Sequence, residues 1–574
     1  MTAGPEPPVD RPIDWFRHGR RTFLSVTGVA VATISGCSAL YESGEDDDGV
    51  AEETDTERVQ FRVSINTPSA VVAGEPISIS YEVENTGEAE GTQSVTLSVD
   101  GVQDATNTVT LGGGESETGE FTISIDQSSD GIANSVPVTV ATEDDADNVT
   151  ILTVARPTDG GTLDIVEWNK TLLEVIRLTA ETPTETVRRI AMLTTAMYDA
   201  VASIEAARGT ARDETYHRYG DHPPGDASPL AALGGAARNT LSGMYPEFAQ
   251  MFDERLTVTL TRAGELDGDV EAGEAWGRTV GQQAIEERED DGHRDEEPGG
   301  YDPCPGDDPA ETPGCWRGGE VGNWRDSHYA FLDPWVLEGP ASFPGPPPMD
   351  GEEYAESWLE VYELGNDNDD RPQEWVDIAT FWRGGPGTAR PSGRWLRIAN
   401  EAVTAGEYDR SLLETAWLMS LVGNALGDAG VSTWHSKHEH GYWRPAEAIE
   451  AGDVDGNPET FADPDWKPIS VGTNPEYPSA LAVYGAAAKT ILVSVLDTDD
   501  VAFAMRSSGP PEMTRSFDSF SHALEESVES RLFVGNHFGF ALDHGVDVGE
   551  KIGQMVLKRA PNPFDASDPA SEST

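Results

Sequence analysis

The sequence predicts a multidomain protein, with an N-terminal all-β immunoglobulin-like sandwich over residues 58–156 and a large all-α helical bundle over residues 162–562. The first observation is a change of period. From Val59 to Val154 apolar and polar residues alternate, which is typical of strands with one buried face. After Gly161 apolar residues recur at helical spacing, and no strand alternation returns. The second observation is length, because 574 residues exceed one ordinary domain.

The composition is strongly acidic. There are 103 Asp and Glu residues against 38 Lys and Arg, which gives a formal net charge of −65. Binding to nucleic acid needs a basic stripe, and none is visible, so nucleic acid is excluded as a partner. A solvated acidic surface is typical of halophilic archaeal proteins, since concentrated salt screens the mutual repulsion of the carboxylates.

The N-terminus predicts export. Arg20 and Arg21 are followed by Thr-Phe-Leu and then by an apolar run, Val26–Ile34, that is too short to span a membrane. This arrangement resembles a Tat signal, and the following Ile-Ser-Gly-Cys37 resembles a lipobox. Residues 1–37 are therefore expected to be a Tat lipoprotein signal, with Cys37 carrying lipid and the protein anchored on the extracellular face of the cell membrane.

Two further segments flank the folded parts. Residues 38–57 are rich in Glu, Asp and Gly and predict a disordered acidic tether, and residues 563–574 predict a disordered tail. Besides Cys37, only Cys304 and Cys315 are cysteines, and they enclose a Pro/Gly-rich loop. Outside the cell this pair favours a disulfide, whereas zinc would need two more ligands that nothing nearby suggests.

The β-region contains roughly seven short strands. The alternating runs are Phe61, Val63 and Ile65; Ile77, Ile79, Tyr81 and Val83; Val95, Leu97 and Val99; Phe121, Ile123 and Ile125; and Val136, Val138 and Val140. Turn signals such as Asp100-Gly101 separate them. Glu84-Asn-Thr-Gly87 followed by Val95-Thr-Leu-Ser-Val-Asp-Gly101 resembles CARDB modules, which implies a spacer without chemistry of its own.

Helical periodicity continues through the rest of the chain. A wide apolar stripe runs from Val187 to Val201. Further helices are expected around 228–245, 250–265, 270–288, 352–364, 409–430, 478–495 and 515–530. Pro/Gly/Asp-rich segments at 290–350 and 450–477 predict loops.

Two segments of the helical region combine cations with histidines. Lys437 precedes Arg444-Pro445 by seven residues, about two helical turns, and Ser530-Arg531 precedes His537. Guanidinium groups pair with the O–X–O edges of oxyanions, and an ammonium adds a point charge. The spacings Lys-x6-Arg-Pro and Ser-Arg-x3-Gly-x-His resemble two signatures of the superfamily of vanadium-dependent haloperoxidases and type 2 phosphatidic acid phosphatases.

The signature between these two has two candidates. Tyr477-Pro-Ser479-Ala480-Leu481 lies in the expected order and opens an apolar helix, whereas Pro391-Ser-Gly-Arg394 lies before Lys437. The first is the better match. The resemblance then implies vanadate attached to His537, with Lys437, Arg444, Ser479, Ala480 and Arg531 binding its oxygens and a helix N-terminus facing the anion.

The chain departs from this pattern at three positions. Leu481 stands where the family has an acid/base histidine, and Ala480 replaces a glycine. Ala541 stands where an aspartate would orient the histidine ring, with Asp543 two residues further on. Loss of a general acid or base costs about 10²–10⁴-fold in rate. His438 and His440 flank Lys437 and are candidates for that role. Together with His435 they also suggest a metal cluster, but their spacing points them apart.

Three functions are compatible with these residues. The resemblance implies an exported haloperoxidase-like enzyme that uses vanadate, peroxide and halide. Its activity would be impaired because Leu481 replaces the acid/base histidine. The alternative enzyme is an acid or lipid phosphatase in which His537 is the nucleophile and phosphate esters are the substrates. The third is a non-catalytic oxyanion-binding surface protein. Vanadate that activates peroxide chemistry favours the first, and vanadate that inhibits phosphate release favours the second.

The signal can be tested by export. Changing Arg20 and Arg21 to lysine should leave the precursor in the cytoplasm, because the twin arginines are read by the export receptor. Cys37→Ser should instead release the protein into the medium. Immunoblots of cytoplasm, membrane and medium measure both effects, and a Cys37→Ser protein that stays on the membrane as wild type does would exclude the lipid anchor.

Overall fold

The computed structural model describes residues 58–125, 133–293, 304, 309, 311–318, 324, 326–405, 410–507 and 513–564. The expected signal with Arg20, Arg21 and Cys37, the acidic tether and residues 565–574 lie outside this part of the chain. Within it, no helix is both long enough and apolar enough to cross a membrane.

The N-terminal domain is a sandwich of two sheets, with eight strands among the described residues where the sequence predicted about seven. The strands are β1 Phe61–Asn66, β2 Ala70–Val72, β3 Pro76–Asn85, β4 Gly91–Val99, β5 Val102–Leu111, β6 Ser116–Ser124, β7 Ala133–Ala141 and β8 Ala146–Val154. One sheet has the order β1-β3-β6 and the other β2-β8-β7-β4-β5. The inward residues of the alternating runs, among them Ile79, Leu97 and Val140, form the core between the sheets.

Strand β1 lies at the edge of its sheet, and its outward N–H groups are capped by aspartates. The backbone N–H of Phe61 donates to Asp144 at 2.9 Å, and that of Ile65 donates to Asp147 at 2.8 Å. Between them, the N–H of Val63 donates to Asp145. The hydrogen bonds from the N–H of Phe61 and from the Gln93 amide lower the pKa of Asp144.

The sandwich contacts the helical domain through one apolar patch and one arginine. Val154 at the end of β8 packs against Val258. Arg262 is buried and donates to Asp164 and Asp159, at 2.7 Å each, and to the carbonyl of Ala155. Burial raises the pKa of Asp164 to about 6, even though Arg262 opposes the shift.

The second domain is helical, as predicted. Its helices are α1 Thr162–Thr179, α2 Pro183–Arg208, α3 Pro229–Met244, α4 Ala249–Ala263, α5 Val270–Glu286, α6 Glu352–Gly365, α7 Gln373–Trp382, α8 Arg390–Thr404, α9 Leu412–His440, α10 Pro445–Glu450, α11 Ala480–Leu496, α12 Phe520–Phe533 and α13 Gly539–Arg559. Two 3₁₀ turns, Pro246–Phe248 and Ser327–Phe331, accompany them.

Helix α9 lies at the centre of this domain. A capping box at Ser411 and Glu414 starts it, and most of its residues from Leu413 to Lys437 are buried. Helices α2 and α11 pack along it, and α13 packs on α11. A helix that is apolar on all sides must be surrounded by others, so α9 delivers Lys437 into the interior.

One expected helix is partly wrong. The segment expected to be helical from residue 515 begins as a strand, β10 Thr514–Phe517, which pairs with β9 Phe503–Arg506 in an antiparallel hairpin. The helix that follows, α12, starts at Phe520, where the Ser519 hydroxyl accepts the N–H of His522.

A chain that starts at Asp159 should still fold as the helical domain. It retains Asp159 and Asp164 as partners of Arg262 and loses the hydrogen bond to the carbonyl of Ala155 and the apolar cover of Val258. We expect helical circular dichroism and oxyanion affinity like those of the whole protein, with a modest loss in the free energy of unfolding.

The control for this truncation is Arg262→Ala in the full-length chain, which leaves the buried Asp164 without its charge partner. We expect it to destabilise the protein by about 3–5 kcal/mol, more than the truncation does. Loss of helical signal on removal of residues 58–158 would show instead that the two domains share one core.

Candidate oxyanion site

The cations of the first motif do not lie on one helix. Helix α9 ends at His440, because Gly441 adopts a left-handed conformation with φ of 51°. Lys437 therefore lies in the last turn of α9, and Arg444 caps the start of α10. The two residues therefore do not lie on one continuous helix, although their spacing is about two helical turns. The bend at Gly441 directs both side chains toward the loop that precedes α11.

Arg444 is held by main-chain oxygens. Its Nε donates to the carbonyl of Asn474 at 2.9 Å, and Nη1 donates to the carbonyl of Asn536 at 2.9 Å. Nη2 donates to the side-chain oxygen of Asn474 at 2.8 Å and to the carbonyl of Pro475 at 3.2 Å. The guanidinium is buried, and burial lowers its pKa to about 10, so it remains a cation at neutral pH.

Lys437 is bound by the same loop. Its ammonium donates to the carbonyl of Pro475 and, at 2.9 Å, to the carbonyl of Glu476. Burial and the neighbouring Arg444 lower the pKa of Lys437 well below its ordinary value. The segment Asn474–Glu476 thus anchors two of the cations through its backbone.

Gly472 makes room for this arrangement. A Cβ atom at this position would lie 2.5 Å from the Cζ atom of Arg444. Any other residue would therefore push the guanidinium out of place, and the loop that contacts Arg444 needs glycine there.

Arg531 and Ser479 present unsatisfied polar atoms. Nε and Nη1 of Arg531 are buried, and no hydrogen-bond partner for either occurs among the described residues. The same holds for the hydroxyl of Ser479, which stands at the N-cap of α11 but does not cap it. Buried donors without partners are costly, so these atoms together make the site suited to an anion. Arg531, near Arg444 and Arg383, has its pKa lowered by burial to about 10.

His537 stands between an arginine and a glutamate. Its Nε2 lies 3.0 Å from Nη1 of Arg444, and its Nδ1 lies 2.9 Å from Oε1 of Glu476. Because a guanidinium can only donate, Nε2 must be the acceptor and Nδ1 must carry the proton. The N–H of Phe538 also donates to Oε1 of Glu476, at 3.1 Å. The lone pair of Nε2 therefore faces the cations.

The electrostatics of this pair keep the ring neutral. Burial and the cations Arg444, Lys437 and Arg531 lower the pKa of His537 well below its ordinary value. Burial raises the pKa of Glu476 to about 7, although Arg444 and Lys437 oppose the shift. A neutral imidazole is the form that coordinates a metal centre or attacks phosphorus.

The sequence places alanine where the family has an aspartate that orients the histidine ring, but the structure supplies a carboxylate to His537 from another segment. Ala541 is buried and has no carboxylate, and no hydrogen bond joins Asp543 to His537 in the described residues. Glu476, from the loop before α11, performs the role instead. Sequence reasoning missed it because one glutamate among 103 acidic residues, inside an expected loop, carries no signal of burial.

Part of this set lines a cavity of about 470 Å³, whose described lining does not include Ser479 or Glu476. Lys437, Arg444, Arg531 and His537 line it, together with Ala480 and Leu481. Trp434 also contributes, with a buried indole N–H that has no partner among the described residues. No histidine other than His537 belongs to the described lining, so the family's acid/base position is filled by an apolar side chain.

The other histidines of α9 lie elsewhere. His438 packs against Phe331 with ring centroids 4.8 Å apart, and His440 packs against Tyr477 at 5.4 Å. His435 contacts the carbonyl of Ala330. The three imidazoles have separate surroundings, and the structure gives His438 and His440 no place in the described lining of the cavity.

The second candidate for the Pro-Ser motif forms part of the core. Ser392 and Arg394 are buried in α8, and the guanidinium of Arg394 lies over the rings of Phe381 and Trp382, 5.1 and 5.5 Å from their centroids. Arg394 does not belong to the described lining of the cavity. Ser479 does not belong to that described lining either, whereas Pro391 and Ala480 do.

A disulfide loop supports the bend between Lys437 and Arg444. Cys304 and Cys315 are joined, with Cα atoms 5.6 Å apart. Beside Cys315, the N–H of Trp316 donates to the carbonyl of Gly441 at 2.8 Å. The N–H of Arg317 donates to Glu447, whose other oxygen accepts the N–H of Arg444. The loop thus holds the backbone on both sides of Arg444.

Comparison with known proteins agrees with both domains. Residues 417–566 match the family model described as the VCPO second helical-bundle domain, and residues 59–150 match the CARDB model. No curated protein matches the sequence.

Two solved structures share the fold of the helical domain. The crystal structure of the first bacterial vanadium-dependent iodoperoxidase covers 71% of this chain and 98% of its own, with 22% identity and a TM-score of 0.58. The apo-type bacterial vanadium-dependent chloroperoxidase covers 66% of this chain and 94% of its own, with 16% identity and a TM-score of 0.50. The protein therefore has a CARDB domain followed by a helical domain with the vanadium haloperoxidase fold.

Glu476 should make stability depend on pH. Its pKa in the folded protein, about 7, lies above the ordinary value of 4.5, so its contribution is present below about pH 4.5 and is lost as the pH rises through 7. Glu476→Gln should remove this dependence, and the difference in free energy of unfolding between the two proteins should change by up to about 3 kcal/mol across this window. Denaturant titrations at a series of pH values and constant salt measure it.

Glu439→Gln is the matched control, because Glu439 is an exposed carboxylate on the same helix as Lys437. All other titrating groups are common to the proteins and cancel in the comparison. Parallel pH profiles for wild type and Glu476→Gln would show that the pKa of Glu476 is the same in the folded and unfolded protein, contrary to this prediction.

Proposed function

We propose that the helical domain is a vanadate-dependent haloperoxidase-like enzyme that uses hydrogen peroxide to oxidise a halide. The observation that carries this proposal is the set of buried donors without partners around His537. Arg531 and Ser479 present such atoms, and Nε2 of His537 presents a lone pair between cations. This is the environment that a tetrahedral or trigonal-bipyramidal oxyanion completes.

The residues fit vanadate in both charge and ligand type. Lys437, Arg444 and Arg531 supply three cations for the oxygens of an anion, and the Ser479 hydroxyl at the start of α11 adds a neutral donor. A neutral imidazole nitrogen suits a transition metal as its one protein ligand. Bound vanadate would supply the Lewis-acid centre at which peroxide is activated toward halide.

The chain's own residues bind, orient and hold protons. Glu476 accepts Nδ1–H of His537 and so fixes the tautomer that leaves Nε2 as the ligand. Lys437 and Arg444 are held by carbonyls of Asn474–Glu476, so their charges are positioned before any anion arrives. Leu481 supplies no proton, and we expect turnover to be slower by about 10²–10⁴-fold than with a histidine there.

We also propose that the enzyme acts outside the cell, anchored by lipid on Cys37 after Tat export. The motif at Arg20 and Arg21 and the lipobox ending at Cys37 support this proposal. The acidic tether and the CARDB domain would then separate the helical domain from the membrane.

Arg531→Ala should weaken vanadate binding by about two to three decades, because removal of a buried donor to an oxyanion costs about 2.7–4 kcal/mol. Arg531 is a cleaner probe than Arg444 or Lys437, whose removal also leaves carbonyls of the loop unpaired. Calorimetric titration with vanadate measures the affinity, and His537→Ala should abolish attachment while leaving weak electrostatic binding.

Arg394→Ala is the matched control, since Arg394 is a buried arginine beside Arg531 that lies over two aromatic rings rather than along the cavity. Its effect on affinity should stay below about tenfold. Equal losses in both variants would mean that net charge alone attracts the anion. Phosphatase activity that vanadate inhibits would replace the haloperoxidase proposal, and vanadate binding without either activity would leave an oxyanion-binding protein.

A further inference from the structure

The cavity is larger than the oxyanion it would hold. Its volume of about 470 Å³ corresponds to roughly fifteen water molecules, and an anion with four oxygens displaces only about four of them. Lys437, Arg444, Arg531 and His537 account for only part of its described lining. Space for a second molecule of about ten non-hydrogen atoms therefore remains. The chemistry of the residues that line this space indicates which class of molecule fits it.

One arginine in the cavity lining makes no hydrogen bond or ion pair within the described part of the chain. Arg383 follows the last residue of α7, lines the cavity and is exposed, and no hydrogen bond or ion pair occupies its guanidinium among the described residues. By contrast Arg390, also in the lining, donates to the carbonyls of Ala180 and Glu181. Arg531 is buried, so the two unpaired guanidinium groups, those of Arg383 and Arg531, lie at different depths in the cavity.

The residues that directly follow Arg383 in this lining are apolar or lack side chains. Gly384, Gly385 and Pro386 follow it, and Pro391 and Val471 line the same cavity. Val471 is 55% exposed, so its side chain is accessible to a bound molecule. The carboxylate in this lining, Asp326, accepts a hydrogen bond from Thr184 at 2.7 Å. An unpaired cation beside apolar surface recognises a molecule with one anionic end and an apolar body.

We propose that Arg383 binds the anionic end of an organic co-substrate, a carboxylate or phenolate, whose apolar body lies on Val471 and the neighbouring prolines. The proposal names the organic substrate of the site described above and so rests on the proposed function. Arg383 also acts electrostatically on Arg531. In a protein with a net charge of −65, a local cation at the cavity is needed for an organic anion to approach.

The test is a binding measurement with two probes, 4-hydroxybenzoate and its neutral methyl ester, on the full-length protein with and without vanadate. Wild type should bind the anion about tenfold more tightly than the ester, as a partly exposed charge-assisted hydrogen bond allows. Arg383→Gln should bind both probes equally, and Arg383→Lys should retain part of the preference. Vanadate affinity should change less than about threefold in either variant.

Arg278→Gln is the control, because Arg278 is an arginine on α5 that pairs with Glu274 and lies away from this cavity. It should leave the preference unchanged, and circular dichroism should show that every variant is folded. An undiminished preference in Arg383→Gln would overturn the proposal, as would vanadate that displaces the probe. A loss of vanadate affinity as large as that for Arg531→Ala would assign Arg383 to the oxyanion set instead.

This experiment separates the two proposals. If wild type binds no vanadate while the probe preference still depends on Arg383, the organic-anion site stands and the haloperoxidase proposal fails. If vanadate binds but neither probe does, the oxyanion site stands and the assignment of Arg383 is wrong.

Discussion

The site depends on one buried carboxylate that faces three buried cations. Burying Lys437, Arg444 and Arg531 together costs free energy, because each loses its hydration and each repels the others. Glu476 is in electrostatic contact with Lys437 and Arg444, and its contact with His537 fixes which nitrogen carries the proton. One negative charge cannot balance three positive ones, so the pocket is electropositive and suited to an anion. Burial of apolar side chains elsewhere, as in the core around α9, offsets the cost of burying these cations.

Main-chain oxygens do most of the positioning. Carbonyls of Asn474, Pro475 and Glu476 bind Arg444 and Lys437, and this loop leads directly into α11. Carbonyl dipoles hold a cation without neutralising it, whereas carboxylates in the same places would cancel the attraction for an anion. This explains how an electropositive pocket persists in so acidic a protein. Within the site, most of the groups that contact Arg444 and Lys437 are backbone carbonyls rather than carboxylates.

Much of this could be predicted from the sequence, and the failures have physical causes. Period-two and helical patterns revealed both domains, and the Lys437, Arg444, Arg531 and His537 signatures located the pocket. Helix α13 was missed because Gly545, Gly549 and Gly553 form its contact face with α11, where Cβ atoms would clash, and glycine repeated within a segment argues against a helix in sequence patterns. Glu476 was missed because its role depends on a contact with His537, 61 residues away in the chain. Local sequence patterns show which face of a helix or strand is buried. They do not show which loop contacts which helix.

The aspartates along β1 have a consequence for assembly. An exposed sheet edge offers free N–H groups to any extended chain, and partners or aggregates can extend the sheet there. Asp144, Asp145 and Asp147 fill those positions on β1 and surround the edge with negative charge. A strand from a neighbouring molecule would have to displace three carboxylates that already accept hydrogen bonds. The aspartates therefore oppose edge-to-edge pairing of β1 with a strand of another molecule, even at high protein concentration.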